Sequence, residues 1–357
     1  MRAATLSRGL IACRSAIAGA SFLVAFCHTG FAQNQPVSDE AAVKVDAPTR
    51  AVIKAALKYL AGQQHLDGSW SLREGTGGYP VAMTGYTLLA FMAAGNLPTE
   101  GEYAKNVSLG TQFLLDSIQP DGLFRNGGGG QYMYNHGIAT VALAELYGES
   151  HSPAMRNKLQ EAVDVILKAQ NPAGGWRYTP QPRDADISVT VLQAVALRAA
   201  QGAGLAVPRD AIDKAIQYVD SCYHPDAGAF SYQPGPKQQP GFARTAAAIY
   251  SLQVLGKYDD PRVKTGSAYL FAHLKDRGYW SYGNYYAAPA QYMVGGETWR
   301  TWYAQLSKII LDSVKRDGDP EHWQPTLDGG RLGPIFITAV YVHILAMPYH
   351  FLPLYQR

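Results

Sequence analysis

Six aromatic residues recur along this chain at nearly constant spacing: Trp70, Phe124, Trp176, Phe230, Trp280 and Trp323, with gaps of 54, 52, 54, 50 and 43 residues. Five of them stand two places after a glycine (Gly68, Gly122, Gly174, Gly228, Gly278), and the sixth closes the divergent run Asp319-Pro320-Glu321-His322-Trp323. A period near 50 residues marks an array of supersecondary units, each unable to bury its apolar face alone. The architecture follows from stacking those units, and function must be sought where they differ.

A second series runs in step with the first. Apolar, small-residue segments begin near Thr84, Gly137, Thr190, Thr245, Tyr285 and Thr338, with gaps of 53, 53, 55, 40 and 53. Residues 84–95, 137–148 and 245–256 have no polar face, as expected of helices buried on all sides. The segments ahead of each glycine–aromatic pair read differently. Over 50–64, Val52, Ile53, Ala56, Leu57 and Leu60 recur at helical spacing while Lys54 and Lys58 fall on the other side. Trp299, Trp302, Tyr303, Leu306, Ile309 and Ile310 repeat that pattern near the end. Each unit is therefore an amphipathic helix, a glycine–aromatic turn, a Gly/Tyr-rich loop and a buried helix. Six such pairs predict an all-α fold, an α/α toroid with apolar helices inside, whose closure removes the ends an open array must cap.

The first residues belong to something else. Met1-Arg2-Ala3, Arg8 and Arg14 precede an apolar run over 16–26 and then Gly30-Phe31-Ala32. That is the pattern of a secretory leader cleaved near Ala32. The expected layout is a signal peptide over 1–32, a short polar tether over 33–47 and the toroid over 48–357, secreted or periplasmic after cleavage. Cys27 raises a lipid anchor, but bulky Phe26 stands where a lipidation signal needs a small residue. No later stretch reaches the ~20 uninterrupted apolar residues of a transmembrane segment. Three of the 31 basic residues lie in the leader, so the remainder is formally neutral against 28 acidic residues. Such a balance offers no basic stripe for nucleic acid. Cys222 alone of the three cysteines follows the leader, so no intrachain disulfide is expected. His65, His224, His273, His322 and His343 fall in different repeats, and no metal or other cofactor is predicted.

The turn signals resemble those of a known family. Leu60-x3-Gln64 before Gly68-Ser69-Trp70, Leu115-x3-Gln119 before Gly122-Leu123-Phe124 and Ile166-x3-Gln170 before Gly174-Gly175-Trp176 are similar to the QW motifs of squalene–hopene cyclases. Later repeats lack the glutamine. The resemblance spans the chain after the leader and implies the toroid of the terpenoid cyclase and protein prenyltransferase superfamily, here as a single barrel. It also lends a sharper meaning to Asp184-x-Asp186, which resembles the cyclases' Asp-x-Asp-Asp motif, whose middle aspartate protonates an alkene. Asp186 would be that acid and Asp184 its partner. The motif's last aspartate is Ile187 here, which removes one carboxylate. The prenyltransferase zinc ligands have no counterpart.

The repeat itself places candidate residues together. Positions just ahead of the buried helices should converge on one mouth of the ring, giving His136, Asp184 to Ser188, Arg244 and Asn284-Tyr285-Tyr286. Asp186 reads equally as the cap of a helix starting at Ile187. His136 reads as a ligand contact or as a hydrogen-bonded residue at a helix start, and Arg244 as a head-group contact or as the partner of Asp184 or Asp186. Tyr134, Tyr285 and Tyr286 could contact a ligand, stabilise a cation or pack the rim. Three functions remain: a toroid that binds an apolar isoprenoid or lipid, or a protein partner, at its mouth; a terpenoid cyclase using Asp186 as general acid; and a carbohydrate-active α/α barrel.

Overall fold

The apolar helices form a closed ring. In the computed structural model, which describes residues 43–72, 78–124, 132–316, 321–324, 326 and 333–355, twelve α-helices follow one another: α1 Ala47–Gly62, α2 Pro80–Ala93, α3 Ala104–Ser117, α4 Tyr132–Ser150, α5 Pro153–Lys168, α6 Ile187–Gly202, α7 Arg209–Ser221, α8 Phe242–Val254, α9 Pro261–His273, α10 Trp280–Val294, α11 Gly296–Asp312 and α12 Pro334–Ala346. The even-numbered helices contact one another in order around the circle, and α12 closes on α2. The odd-numbered helices lie outside, each against the inner helix before it, with α1 on α12. The fold is an α/α toroid of six hairpins. A pair of two-residue strands, β1 Tyr223–His224 and β2 Ala229–Phe230, frames the fourth turn. The segments expected to be a leader and most of a tether lie outside the described residues, and among those described no helix is long and apolar enough to cross a membrane.

Periodicity dictates which face is buried. On α1 the buried residues are Thr49, Val52, Ile53, Ala56, Leu57 and Leu60, the helical stripe expected of an outer helix. On α2 and α12 nearly every residue is buried, as befits helices packed on all sides. Inner helices start earlier than their apolar runs suggest. α4 begins at Tyr132, α8 at Phe242 and α10 at Trp280, because the stretches just ahead of the apolar runs, each opened by an aromatic, are already helical. In the fifth repeat the aromatic itself opens the inner helix, so the loop is lost and the spacing shortens.

The recurring aromatics act as staples. Indole N–H groups of Trp70, Trp176, Trp280 and Trp323 donate to the carbonyls of Leu60, Ile166, Leu274 and Ile310 at 2.6–2.9 Å, filling acceptors left open where the outer helices end. The backbone amides of Trp70, Trp176, Phe230 and Trp323 donate to the hydroxyls of Thr84, Thr190, Thr245 and Thr338 at 3.0–3.1 Å. Trp70, Trp176 and Trp323, which make both contacts, thus tie an outer helix to the following inner one. Gln64 and Gln170 each bridge two carbonyls, one in their own turn and one on the next outer helix (Gly68 and Asn106; Gly174 and Ala211), at 2.8–2.9 Å. The turn glycine is needed for close approach: at Gly174, φ is +94° and a Cβ would lie 2.1 Å from the Lys214 carbonyl of α7.

Candidate functional site

In the second repeat a histidine takes the threonine's place. The Phe124 amide donates toward Nδ1 of His136 at 3.5 Å, while Nε2 bonds the Ala162 carbonyl of α5 at 2.8 Å. His136 is the fifth residue of α4 and fully buried. The structure therefore puts it in the wall of the ring, where it staples two helices, and not at the mouth. Burial lowers its pKa to about 4 and keeps the ring neutral. A histidine whose folded pKa is depressed contributes stability that is complete above pH ~6.5 and is lost as pH falls from there towards 4. His136→Thr keeps the contact to Phe124 and loses the one to Ala162, so it should cost ~1 kcal/mol at neutral pH. Near pH 5 the gap should close or reverse. Urea denaturation at both pH values checks this, and a gap that widens on acidification would exclude a buried neutral ring.

Asp186 lies at the start of α6 in extended backbone (φ −142°, ψ 158°), and its Oδ1 accepts the Val189 amide at 2.9 Å. Its amide donates to the Trp176 carbonyl at 3.0 Å, so the helix cap is pinned to the staple of its own repeat. The carboxylate has no exposed surface. Oδ2 lies 3.3 Å from Nε of Arg177, whose Nη1 is 3.2 Å from Oδ2 of the exposed Asp184. Burial pushes the Asp186 pKa up, while the Val189 amide, the facing Tyr232 hydroxyl and Arg177 pull it down. The cation of the cluster is thus Arg177, a residue the sequence pattern did not single out.

Arg244 is elsewhere. Because α8 starts at Phe242, Arg244 is already helical; its Nη1 donates to the Gln239 carbonyl at 2.6 Å, and its charge acts on Tyr269 of α9. The expected single cluster of Asp184, Asp186, Arg244 and His136 therefore reduces to the two aspartates with Arg177.

Tyrosines surround that cluster. The Arg177 guanidinium sits 5.0 Å and 5.6 Å from the ring centres of Tyr178 and Tyr232, whose hydroxyls are 2.5 Å apart. Tyr134, in the first turn of α4, stacks on Tyr178 at 5.9 Å, and its hydroxyl is 3.4 Å from that of Tyr282. Tyr282 donates to the Ser188 carbonyl at 3.1 Å, bringing the starts of α4, α6 and α10 together. All four tyrosines are half-buried. Gln233 completes the rim by donating to Asp184 and to the Ala185 carbonyl at 3.1 and 2.8 Å. Tyr178, Tyr232 and Tyr282 each stand two places after a repeat aromatic. That phase was legible and would have drawn attention to Arg177 between Trp176 and Tyr178.

Tyr285 and Tyr286 lie deeper, buried in the second turn of α10 with their rings 5.1 Å apart. They edge a void of only about 10 Å³ inside the ring, room for roughly one water molecule. A wider groove of about 250 Å³ lies between α1, the first turn and α12, lined by Tyr59, His65, Leu72 and Ile335. The carboxylate–arginine cluster is not part of it, so its size does not make it the chemical centre. Among the described residues no group of His, Cys, Asp and Glu could hold a metal ion. Cys222, at the end of α7, is buried and unpaired with another cysteine, its thiol pushed up to about 11 by burial.

No protein-family profile matches the chain, and no curated protein sequence does. Solved structures do. The type II terpene cyclase MstE from Scytonema superposes with a TM-score of 0.60 at 15% identity, over 85% of this chain and 99% of the cyclase. The same cyclase has been solved as a variant in complex with geranylgeranyl dihydroxybenzoate, its substrate. The GH76A alpha-1,6-mannanase from Salegentibacter sp. HEL1_6 superposes at 0.63 with 6% identity, over 85% of this chain and 99% of the mannanase. Likeness at such identities shows the shared fold alone. The chain shares the α/α toroid fold of the cyclase and of the mannanase.

Proposed function

We propose that this chain is an exported ligand-binding toroid that holds an apolar, isoprenoid or lipid-like molecule at its tyrosine-lined mouth without transforming it. One observation carries the proposal: the void that Tyr285 and Tyr286 edge among the inner helices holds only about 10 Å³, whereas the groups able to contact a ligand gather at the mouth. A site that encloses a ligand of drug size needs ~300 Å³ or more. The mouth instead offers four half-buried tyrosine faces beside an exposed carboxylate, an amphipathic surface suited to a flat or chain-like molecule with a polar end.

The cyclase alternative requires Asp186 to present a proton to an alkene in a dry chamber. Its Oδ1 is engaged by the Val189 amide and its Oδ2 by Arg177, both on the protein side. These contacts support a capping and anchoring role. Asp186→Asn retains capping ability and should lower stability by ~1–2 kcal/mol through the lost ion pair while leaving bound ligand in place. Tyr178→Ala should lower ligand retention at least tenfold. The measurement is mass spectrometry of an organic extract from native protein and from each variant, with denaturation in parallel. Bound glycan in place of lipid would favour a carbohydrate-active barrel. Turnover of an isoprenoid that disappears in a stably folded Asp186→Asn protein would establish the cyclase instead.

A further inference from the structure

The ring's far end is closed by the chain itself. After α12, a 3-10 turn at Met347–Tyr349 leads to His350, whose φ of +60° reverses the backbone and whose Nδ1 meets the Tyr292 hydroxyl at 2.5 Å. Phe351 then remains exposed while Leu352, Leu354 and Tyr355 are buried. The turn Pro353–Tyr355 packs on α6 and α10, so it spans the axis between inner helices that are not neighbours. Leu354 and Tyr355 form one side of the small internal void; Val141, Leu192, Tyr250 and Tyr286 are on the other.

One polar contact makes this plug unusual. Glu145 of α4 is buried among these apolar side chains, and its Oε2 accepts the Leu354 amide at 3.2 Å. Arg198 of α6 lies within electrostatic reach, as do Glu149 of α4 and the phenols of Tyr250, Tyr285 and Tyr355. Tyr355 is hydrogen-bonded to the buried His343 of α12. A buried carboxylate is costly unless a donor meets it, and here the hydrogen bond comes from the 3-10 turn Pro353–Tyr355, outside the inner helices. Apolar packing of Leu354 together with one N–H on a carboxylate is also what an amphiphilic amine would supply.

The geometry points to residues 351–355 as a displaceable plug whose withdrawal opens an apolar, tyrosine-lined chamber, with Glu145 as the receptor for the N–H or ammonium head of a single-chain amphiphile. The segment occupies its own ligand's place: the Leu354 side chain stands for the chain and its amide for the head. This site lies at the opposite pole from the mouth and does not depend on the function proposed there.

The test uses decylammonium below its micellar concentration, with decanol and decanoate as neutral and anionic comparisons, read by calorimetry. A chain ending at His350 should bind decylammonium at least tenfold more tightly than the full chain, and at least tenfold more tightly than decanoate. Glu145→Gln in that shortened chain should remove the preference for the ammonium head. A shortened chain with the full chain's helical circular dichroism and no gain in affinity, or a gain without head-group preference, overturns the proposal. Should the shortened chain fail to fold, hydrogen exchange of the full chain decides. The Leu354 amide should exchange at least a hundredfold faster than that of Val141 in mid-α4; equal rates would show that the plug opens only on global unfolding and would also overturn it.

Discussion

Replacing Trp176 by alanine is expected to destabilise the toroid by ~3–5 kcal/mol, in the range of buried large-to-small aromatic substitutions. Trp176 has no exposed surface. Its indole N–H fills the Ile166 carbonyl at the end of α5, and its amide fills the Thr190 hydroxyl in α6. Its carbonyl receives the Asp186 amide. Alanine keeps the two backbone contacts only if the turn holds its shape around an indole-sized cavity. Trp176→Phe separates the two effects. It preserves most of the volume and leaves the Ile166 carbonyl without its donor, so it should cost ~1–2 kcal/mol. The chain already carries phenylalanine at the equivalent positions 124 and 230, which shows that the ring can close without an indole in every repeat. Equilibrium denaturation of the three proteins measures both steps. A loss below ~1 kcal/mol in the alanine variant would mean that the aromatics merely fill surface turns, against the burial seen here.

The toroid was legible in the sequence because stacking six similar units imposes a period that survives divergence of the individual residues. Apolar segments without a polar face could only be inner helices, and α2, α4 and α8 bear this out. The site was less legible, for a physical reason. A residue's position relative to a helix start decides which way its side chain faces, and α4, α8 and α10 begin before their apolar runs. That shift leaves Arg244 bonded to the Gln239 carbonyl rather than to the aspartates and buries His136 in the wall. The phase of the threonine staples carried the information missed for His136: the position filled by Thr84, Thr190, Thr245 and Thr338 is occupied by His136 in the second repeat. Asp186 was read as a possible cap, and its hydrogen bond to Val189 has that geometry. The segment 351–355 follows no repeat, and its position on the ring axis arises from packing that no local pattern encodes.

Arg177→Met is expected to cost ~2–4 kcal/mol at neutral pH, below the full range for a broken buried pair, because the Arg177 side chain is 24% exposed. Methionine retains much of the side-chain stem against Tyr178 and Tyr232, so the loss reports mainly on charge. In the variant, Asp186 keeps its Val189 contact but loses its ion pair with Arg177, and burial then acts on its carboxylate unopposed by that guanidinium. Its folded pKa, already raised, must rise further. A carboxyl group whose folded pKa lies above its unfolded value destabilises the fold as pH rises through that window and ceases to do so once protonated in both states. The charge-dependent part of the Arg177→Met penalty should therefore be absent at the unfolded aspartate pKa of ~3.9, grow as pH rises from the folded pKa of Asp186 with Arg177 present to its higher value in the variant, and level off above that. The double variant Arg177→Met/Asp186→Asn removes the orphaned charge and should recover at least half of the loss at neutral pH, with little pH dependence of its own difference from Asp186→Asn. Urea denaturation from acidic to neutral pH, carried out on the single and double variants, measures both the sign and the coupling. A penalty that is independent of pH and undiminished by Asp186→Asn would show that Arg177 acts by stacking between the tyrosines, and that Asp186 is held by its backbone contacts alone.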